Sequence, residues 1–499
     1  MSSNTEIVEQ SSLPTWAHAV RRVCSFPVMI ASLLAALSVL TVRSRFDDPD
    51  LWWHLRMGQV IWTSHTIPTT DLFSYTTGHH SYIPHEWLAQ IVVYGSYLAG
   101  GFPGMMFLLC VLASLLLIAG YGLCWIYSEN AKVAFVGAMT IWLFSTIGLA
   151  IRPQMMGYSL LIIELFLLHL GRTRDSRLFF CLPPLFAIWV NAHGSFSLGL
   201  FIAGVTLVSS FFHLRAGPIV SSEWSPGRRR DLTWAVLLSA GALLLNPVGM
   251  KQILYPINTL LHQPVGISEV QEWQPLGFDD PRAYALLTVL ACIALLVIVR
   301  QKEIFWQELL MLATGTWLAA SHRRMLFVFG ILAAPVVSRL LADEWDNYYI
   351  EQDRPGPNLV LIAASLLTMF LAFPSSQALG TQVETQSPVK AVEFIKADQL
   401  SGNMLNEYVF GGYLIWAMPE HPVFVDGRSD VFEETGVLKV FADWATLQSD
   451  PANLLDKYNI RFCLLARQSP MAKVLPLLGW TAVYSDTNST IFIRNTPGK

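Results

Sequence analysis

Charged residues are scarce in this chain. Only 14% of its 499 residues are Asp, Glu, Lys or Arg, and 53% are hydrophobic, against about 25% charged in an average soluble domain. With a mean hydropathy of +0.45, an ordinary soluble enzyme is excluded. A basic excess is missing as well. Lys plus Arg is 32, Asp plus Glu is 36 and the formal charge is -4, so the surface needed to neutralise a nucleic-acid backbone is absent and nucleic acid is not an expected partner. The six cysteines, Cys24, Cys110, Cys124, Cys181, Cys292 and Cys463, show no paired or metal-like spacing and read as packing residues in apolar surroundings. No small-residue cleavage site clearly follows the first apolar run, which is therefore expected to be retained as an anchor. Internal repeats and low-complexity tracts are not evident.

What the chain has instead is a series of long apolar runs. They lie at about 26 to 43, 104 to 126, 132 to 150, 154 to 171, 178 to 191, 195 to 213, 232 to 248, 283 to 300, 304 to 320, 324 to 342 and 358 to 374, which predicts an α-helical polytopic membrane protein with about 11 transmembrane helices. A twelfth segment, Trp87 to Gly100, is short and holds Gln90, Tyr94, Ser96 and Tyr97. If it lies along the surface, the clusters at Arg172, Arg174 and Arg177, at Arg215 and Arg228 to Arg230, and at Arg300 and Lys302 share one side with Arg21 and Arg22. The positive-inside rule favours that arrangement, with the N-terminus cytoplasmic and the C-terminus outside the plasma (inner) membrane. The expected division is a cytoplasmic segment 1–25, a transmembrane domain 26–375 with a large first external loop 44–103, and a soluble extracytoplasmic α/β domain 376–499. In that last domain Pro388 to Asp398 reads as a helix, and Pro422 to Val425, Arg461 to Leu465 and Ile491 to Arg494 read as strands. The loop from Gly217 to Asp231 reads as mobile and not a site.

The polar residues expected outside are unevenly distributed. The first loop carries Asp47, Asp48, Asp50, His54 and Arg56, then His79, His80, His85 and Glu86. Other external ends supply Arg152 and Gln154, Asn191 and His193, Asn246, an acidic stretch from Glu269 through Glu272 to Asp279 and Asp280, and His322, Arg323 and Arg324. Membrane proteins keep such groups where they are used or paired. The arrangement predicts a cleft for an anionic, lipid-linked substrate.

Within that loop, Asp50-Leu-Trp-Trp-His-Leu-Arg56 resembles the Asp-Pro-Trp-Tyr-His-x-Arg pattern of oligosaccharyltransferase catalytic subunits, and it stands just outside the first span, where those enzymes keep it. The wider family is GT-C, multi-span glycosyltransferases that use polyprenyl-phosphate or polyprenyl-diphosphate sugars. The resemblance implies a first-loop carboxylate that acts on the acceptor or holds a divalent cation. Asn406-Glu-Tyr-Val-Phe-Gly-Gly-Tyr-Leu414 is similar in outline to the family's Trp-Trp-Asp-Tyr-Gly-Tyr acceptor segment, without its tryptophans, and brings Tyr413 among the substrate-binding candidates.

Elementary chemistry leaves several roles open. Asp47, Asp48 and Asp50 suit a general base, and Asp48 and Asp50 equally suit an Mg or Mn site; Asp50 also precedes a helix predicted over Leu51 to Trp62, which it would cap. Arg323 and Arg324, beside His322, suit phosphate recognition or interfacial snorkelling. The histidines His79, His80, His85, His193 and His322 could assemble a metal site, but their spacing is not zinc-like and a solvated or hydrogen-bonded histidine is commoner. Asn191 to Ser195 reads equally as a re-entrant turn or a ligand site. Arg152 to Gln154 makes a tight turn whose arginine pairs with a first-loop carboxylate or a lipid phosphate, and Glu164, inside a span, is expected to hydrogen-bond between helices. Asp426 and Arg428 follow a strand and either face the cleft or pair with each other. The resulting expectation is a GT-C-type enzyme taking a sugar from a polyprenyl-linked donor, with catalysis at Asp50, Asp48 and Asp47 and with membrane lipid as a partner. The rival is a non-enzymatic lipid-binding, transport or structural subunit of a membrane complex.

Overall fold

The computed structural model describes residues 15–262 and 271–494. Each of the eleven apolar runs carries a helix. In chain order the helices are α1 (Thr15–Val23), α2 (Phe26–Val42), α3 (Leu51–Ser64), α4 (Trp87–Ser128), α5 (Ala131–Ser145), α6 (Gln154–Thr173) and α7 (Leu182–Ala192). They continue with α8 (Phe196–Ser209), α9 (Pro226–Ala242), α10 (Met250–His262), α11 (Pro281–Ile298), α12 (Trp306–Ser321), α13 (Leu326–Leu340) and α14 (Pro355–Ala372). Among the described residues five stretches, Ala19–Val42, Trp87–Ser128, Gln154–Thr173, Pro281–Ile298 and Pro355–Ala372, are long and apolar enough to cross a membrane. Others, such as Ala131–Ser145 and Phe196–Ser209, are shorter.

Local chemistry explains several boundaries. Proline stands in the first turn of α2, α7, α9, α11 and α14, where its missing N–H costs nothing. The Asn130 side chain accepts from the N–H groups of Lys132 and Val133 and so starts α5. Inside α4 the backbone leaves helical geometry at Gly100 (φ -166°, ψ 22°) and Gly101 (φ 59°, ψ -141°). The second of these lies in the left-handed region that glycine adopts readily. The break falls where Trp87 to Gly100, read as a surface segment, gives way to the run from 104. Helices α2, α3, α5, α6, α7 and α13 pack around α4, with α13 buried along nearly its whole length.

Three local expectations are corrected. The loop from Gly217 to Asp231 is structured: strands β1 (Arg215–Ala216) and β2 (Ile219–Val220) pair with each other, β2 pairs with β3 (Ile304–Phe305), Trp224 is buried, and α9 already begins at Pro226. Strand pairing and an indole anchor outweigh the Pro, Ser and Arg content. Glu164 is fully buried but makes no interhelical hydrogen bond among the described residues. Pro422 to Val425 forms no strand of the sheet; Val423 instead makes a lone bridge to Ser74 of the first loop.

That bridge shows where the C-terminal part of the chain sits. Strands β4 (Asn403–Asn406), β5 (Ile460–Ala466), β6 (Trp480–Ser485) and β7 (Ser489–Arg494) form a sheet in the order β4-β5-β7-β6. The β4 and β5 strands are parallel and the other pairs antiparallel. The first loop is stitched to this unit by the Tyr75 N–H donating to the Val423 carbonyl, the Tyr75 hydroxyl to the Met404 carbonyl and the Thr76 hydroxyl to the Phe424 carbonyl. One apolar cluster joins Trp53, Met57 and Ile61 of α3 to Phe73 and to Ile395, Met404, Leu414 and Phe462. The α3 helix is thus a shared wall, packed against the membrane helices through Trp52 and Leu55 and against the α/β unit through Trp53 and Met57.

Candidate functional site

Asp48, Pro49 and Asp50 lead into α3 at the seam between the helical domain and the α/β unit. Asp50 stands at the cap position of α3, yet its side chain makes no capping hydrogen bond. Asp48 takes a local role instead, its Oδ1 accepting from the Asp50 N–H at 2.9 Å. Asp50 is left to face other groups: Oδ1 accepts from the Trp53 indole at 3.3 Å and Oδ2 lies 3.1 Å from Arg152 Nη2.

Arg152, on the turn before α6, reaches three carboxylates from two other segments. Its Nε donates to Asp48 Oδ2 at 2.5 Å, Nη2 pairs with Asp50 and Nη1 donates to Glu272 Oε1 at 2.9 Å. The same Glu272 oxygen lies 3.2 Å from Arg324 Nη1, and Arg324 Nη2 donates to Gln154 Oε1 at 2.9 Å. The Arg324 guanidinium lies 4.5 Å from the centre of the Trp273 ring, a cation–π contact that fixes its plane. Arg323 points elsewhere, to the exposed Asp279 and the Pro275 carbonyl. Adjacent residues cannot face one way.

Burial sets the electrostatics. It pushes the Asp50 carboxyl up to about 7, with Arg152 opposing and then Asp48 and Glu272 reinforcing the rise. Burial acts on Glu272 too, but Arg324 and then Arg152 outweigh it and hold that carboxyl below its ordinary value. Two carboxylates on one guanidinium are therefore driven apart, the pattern expected of a fixed charge beside a proton acceptor.

Beside this network lies a second cluster. Glu86 is within 3.8 Å of His54 Nδ1, 3.6 Å of His85 Nε2 and 3.7 Å of His193 Nε2. Burial raises Glu86 and, with Arg152 next, holds His54 well below its usual range; burial and then Arg324 bring His193 down to about 3. His193 is tied to the Ser195 hydroxyl at 2.8 Å, and His85 stacks on Tyr255 at 4.2 Å, whose hydroxyl donates to Asp430 of the α/β unit at 3.1 Å.

Other sequence candidates stand apart. Asp47 is exposed and outside the network, Arg56 bonds its neighbour Gln59, and His322 lies edge-on to Trp273. Tyr413 packs edge-on against Trp52 among apolar neighbours. Asp426 and Arg428 are fully enclosed and face each other and Asp71, Nη1 donating to Asp71 at 2.6 Å and Nη2 to Asp426 at 2.6 Å. Glu269 lies outside the described residues. Asp71, Glu272, Tyr255 and Asp430 are not singled out individually by the sequence, whereas Gln154 is, beside Arg152. Glu272 is visible as one member of an acidic stretch, whereas nothing local marks Asp71 from other loop aspartates.

The loop from the α/β unit closes tightly over Asp50. A Cβ added at Gly427 would run into the Asp50 carboxylate, and one at Gly412 into the Pro49 carbonyl. Gly427→Ala is expected to push the carboxylate aside, costing about 1–3 kcal/mol by overpacking and lowering any turnover that depends on Asp50 about 100-fold. Thermal denaturation read beside the turnover rate checks this, and unchanged turnover would remove the close approach from the site.

A divalent cation does not fit this donor set as it stands. Both Asp48 oxygens and one oxygen of each of Asp50 and Glu272 are engaged by Arg152 or by backbone, and among the described residues no group of three or more His, Cys, Asp or Glu side chains is arranged to hold a metal ion. The expected Mg or Mn therefore has no step assigned to it.

The architecture is a domain of apolar helices whose first loop is pinned against a small C-terminal α/β unit. Among solved structures, the oligosaccharyltransferase of Archaeoglobus fulgidus tethered to an acceptor peptide with an NVT sequon matches with a TM-score of 0.55 at 12% identity, over 93% of this chain and 74% of that one. The archaeal oligosaccharyltransferase AglB from Archaeoglobus fulgidus, in complex with an inhibitory peptide and a dolichol-phosphate, gives 0.52 at 12% identity, over 97% and 74%. ArnT of Cupriavidus metallidurans bound to undecaprenyl phosphate gives 0.51 at 13% identity, over 92% and 97%. No family model and no curated protein matches the sequence. At these identities the likeness is one of fold.

Proposed function

We propose that this chain is an integral membrane glycosyltransferase that moves a sugar from a polyprenyl phosphate or diphosphate carrier to an acceptor on the extracytoplasmic face of the plasma membrane. The observation that carries the reading is Asp50 itself: a carboxyl raised to about 7, freed from capping, and paired with Arg152, which shares Glu272 with Arg324. In the proposed reaction Asp50 takes the proton of the acceptor as the acceptor's oxygen or nitrogen bonds to the anomeric carbon. The bond from that carbon to the phosphate oxygen breaks, and the phosphate leaves with the electron pair. Arg324, its plane held by Trp273, retains N–H donors beyond those spent on Glu272 and Gln154 and stabilises the leaving charge. The isoprenoid tail runs between apolar helices. The solved ArnT and AglB structures with polyprenyl phosphates support the donor class, and the basic clusters from Arg172 to Lys302 support a cytoplasmic N-terminus and an external C-terminal unit.

The two adjacent arginines supply the test. Arg324→Lys keeps the charge but loses the planar fork, and is expected to weaken binding of a polyprenyl-phosphate analogue to the purified protein about 10- to 100-fold. Arg323→Lys, on the rim, is expected to change it less than about fivefold. Equal affinities in the parent and both variants would remove phosphate recognition from this site.

A further inference from the structure

The Arg152 guanidinium spends each of its three nitrogens on a different carboxylate: Nε on Asp48, Nη2 on Asp50 and Nη1 on Glu272. Asp48 and Asp50 come from the first loop, Glu272 from the segment before α11, and Arg152 from the turn before α6. The arginine side chain is itself largely covered, at 16% exposure. Gathering carboxylates from separate loops around one central positive charge is what a divalent ion does at a site of this composition. Here the centre is organic and monovalent, and it belongs to the chain.

Geometry separates the two kinds of centre. A magnesium ion binds oxygens at about 2.0–2.1 Å, so neighbouring ligands in an octahedron sit about 3 Å apart. A planar guanidinium holds its partners at hydrogen-bond distance around its edge, which spreads the carboxylates more widely and in one plane. Burial of the charge is tolerated because three anions face it, and burial of the anions because it faces them. Arg324 adds a second cation at Glu272, so two arginines already oppose three carboxylates.

We propose that Arg152 permanently occupies the position between Asp48, Asp50 and Glu272 that a divalent cation held by the first-loop carboxylates would take, and that it positions Asp50 in such an ion's stead. The consequence is a site that is complete without loading. A chelator leaves it intact, and its charge is fixed at every pH at which the protein is folded, because an arginine does not lose its proton in this range. Arg152 is thus a positioning residue: it acts through Asp50 and Glu272. The inference concerns the same site as the proposed transfer reaction but does not need that reaction to be correct, since the test below reads metal binding and not turnover.

The test uses the full-length purified protein and manganese alone. Electron paramagnetic resonance of free Mn, titrated against protein, is expected to show no saturable uptake by the parent. Arg152→Gln removes the charge and leaves the three carboxylates facing one another, so it is expected to acquire stoichiometric Mn binding and a saturable Mn-dependent rise in thermal midpoint, both lost when Asp50→Asn is added. Stoichiometric Mn uptake by the parent that Asp48→Asn or Asp50→Asn abolishes would overturn the proposal. So would a folded Arg152→Gln protein that takes up no Mn. If Arg152→Gln does not fold in any condition, the parent titration decides alone, with no saturable uptake supporting the proposal and carboxylate-dependent uptake overturning it.

Discussion

Asp50→Asn is expected to lower sugar transfer by about 10²- to 10⁴-fold while leaving the thermal midpoint nearly unchanged. The size is that of a lost general base. The stability expectation follows from the hydrogen bonds: the Asp50 side chain caps nothing, so no helix start is lost. Asn is nearly isosteric and still accepts from the Trp53 indole. Its pH dependence provides a second reading. A base must be deprotonated to act, and burial holds Asp50 at about 7, so the parent rate should rise with pH up to that point and level off above it. The variant should lack this limb. Transfer assayed across pH with a polyprenyl-phosphate sugar, alongside a melting curve, distinguishes the outcomes. Full activity in Asp50→Asn would remove it from the chemistry, and normal donor binding with no transfer by the parent would favour the lipid-binding alternative.

The largest stability effect is expected at Arg428. Replacing it by leucine leaves Asp71 and Asp426, both wholly buried, without the cation that faces them, and stranding a buried charge costs about 3–5 kcal/mol. Asp71 also accepts from the Ser74 and Thr77 hydroxyls and from the Phe73 N–H. Burial alone would raise that carboxyl, but Arg428 and then these donors hold it below its ordinary value. The sign for stability is therefore that of a depressed acid: its contribution is present above the unfolded value and is lost as the pH falls through the folded one. Arg428→Leu combined with Asp71→Asn and Asp426→Asn should recover much of the loss, since no charge is then stranded. Chemical or thermal denaturation of the parent, the single variant and the triple variant measures both steps. A single variant as stable as the parent would contradict the role given to the ion cluster.

These residues also show what could be read from sequence and what could not. Apolar runs announce helices because a bilayer tolerates little else, and every run became one. The helix after Asp50 was legible for the same reason that the strands around Phe462 and Phe492 were: local patterning decides them. Arg152 could be expected to meet a first-loop carboxylate, because an arginine on a tight external turn needs a partner. Its third partner, Glu272, lies 120 positions away and no periodicity signals it. Asp426 and Arg428 were visible as a polar pair, but whether they faced a cleft or each other depended on Asp71. Polar loop composition likewise misled at 217–231, where a buried indole and a strand partner some 85 residues downstream impose order.

The contact between Asp71 and Arg428 joins positions 357 apart. During synthesis at about 5–20 residues per second, the first loop would wait roughly 18–70 seconds for the arginine that completes it. The segment bearing Gly427, which closes over Asp50, arrives with the same late stretch. An unfinished chain therefore holds the signature aspartate in an open, wet loop, and the enclosed surroundings that raise its proton affinity come into being only near the end of translation. Truncation anywhere before residue 428 would leave the helices largely specified and the Asp50 carboxyl in an ordinary aqueous state.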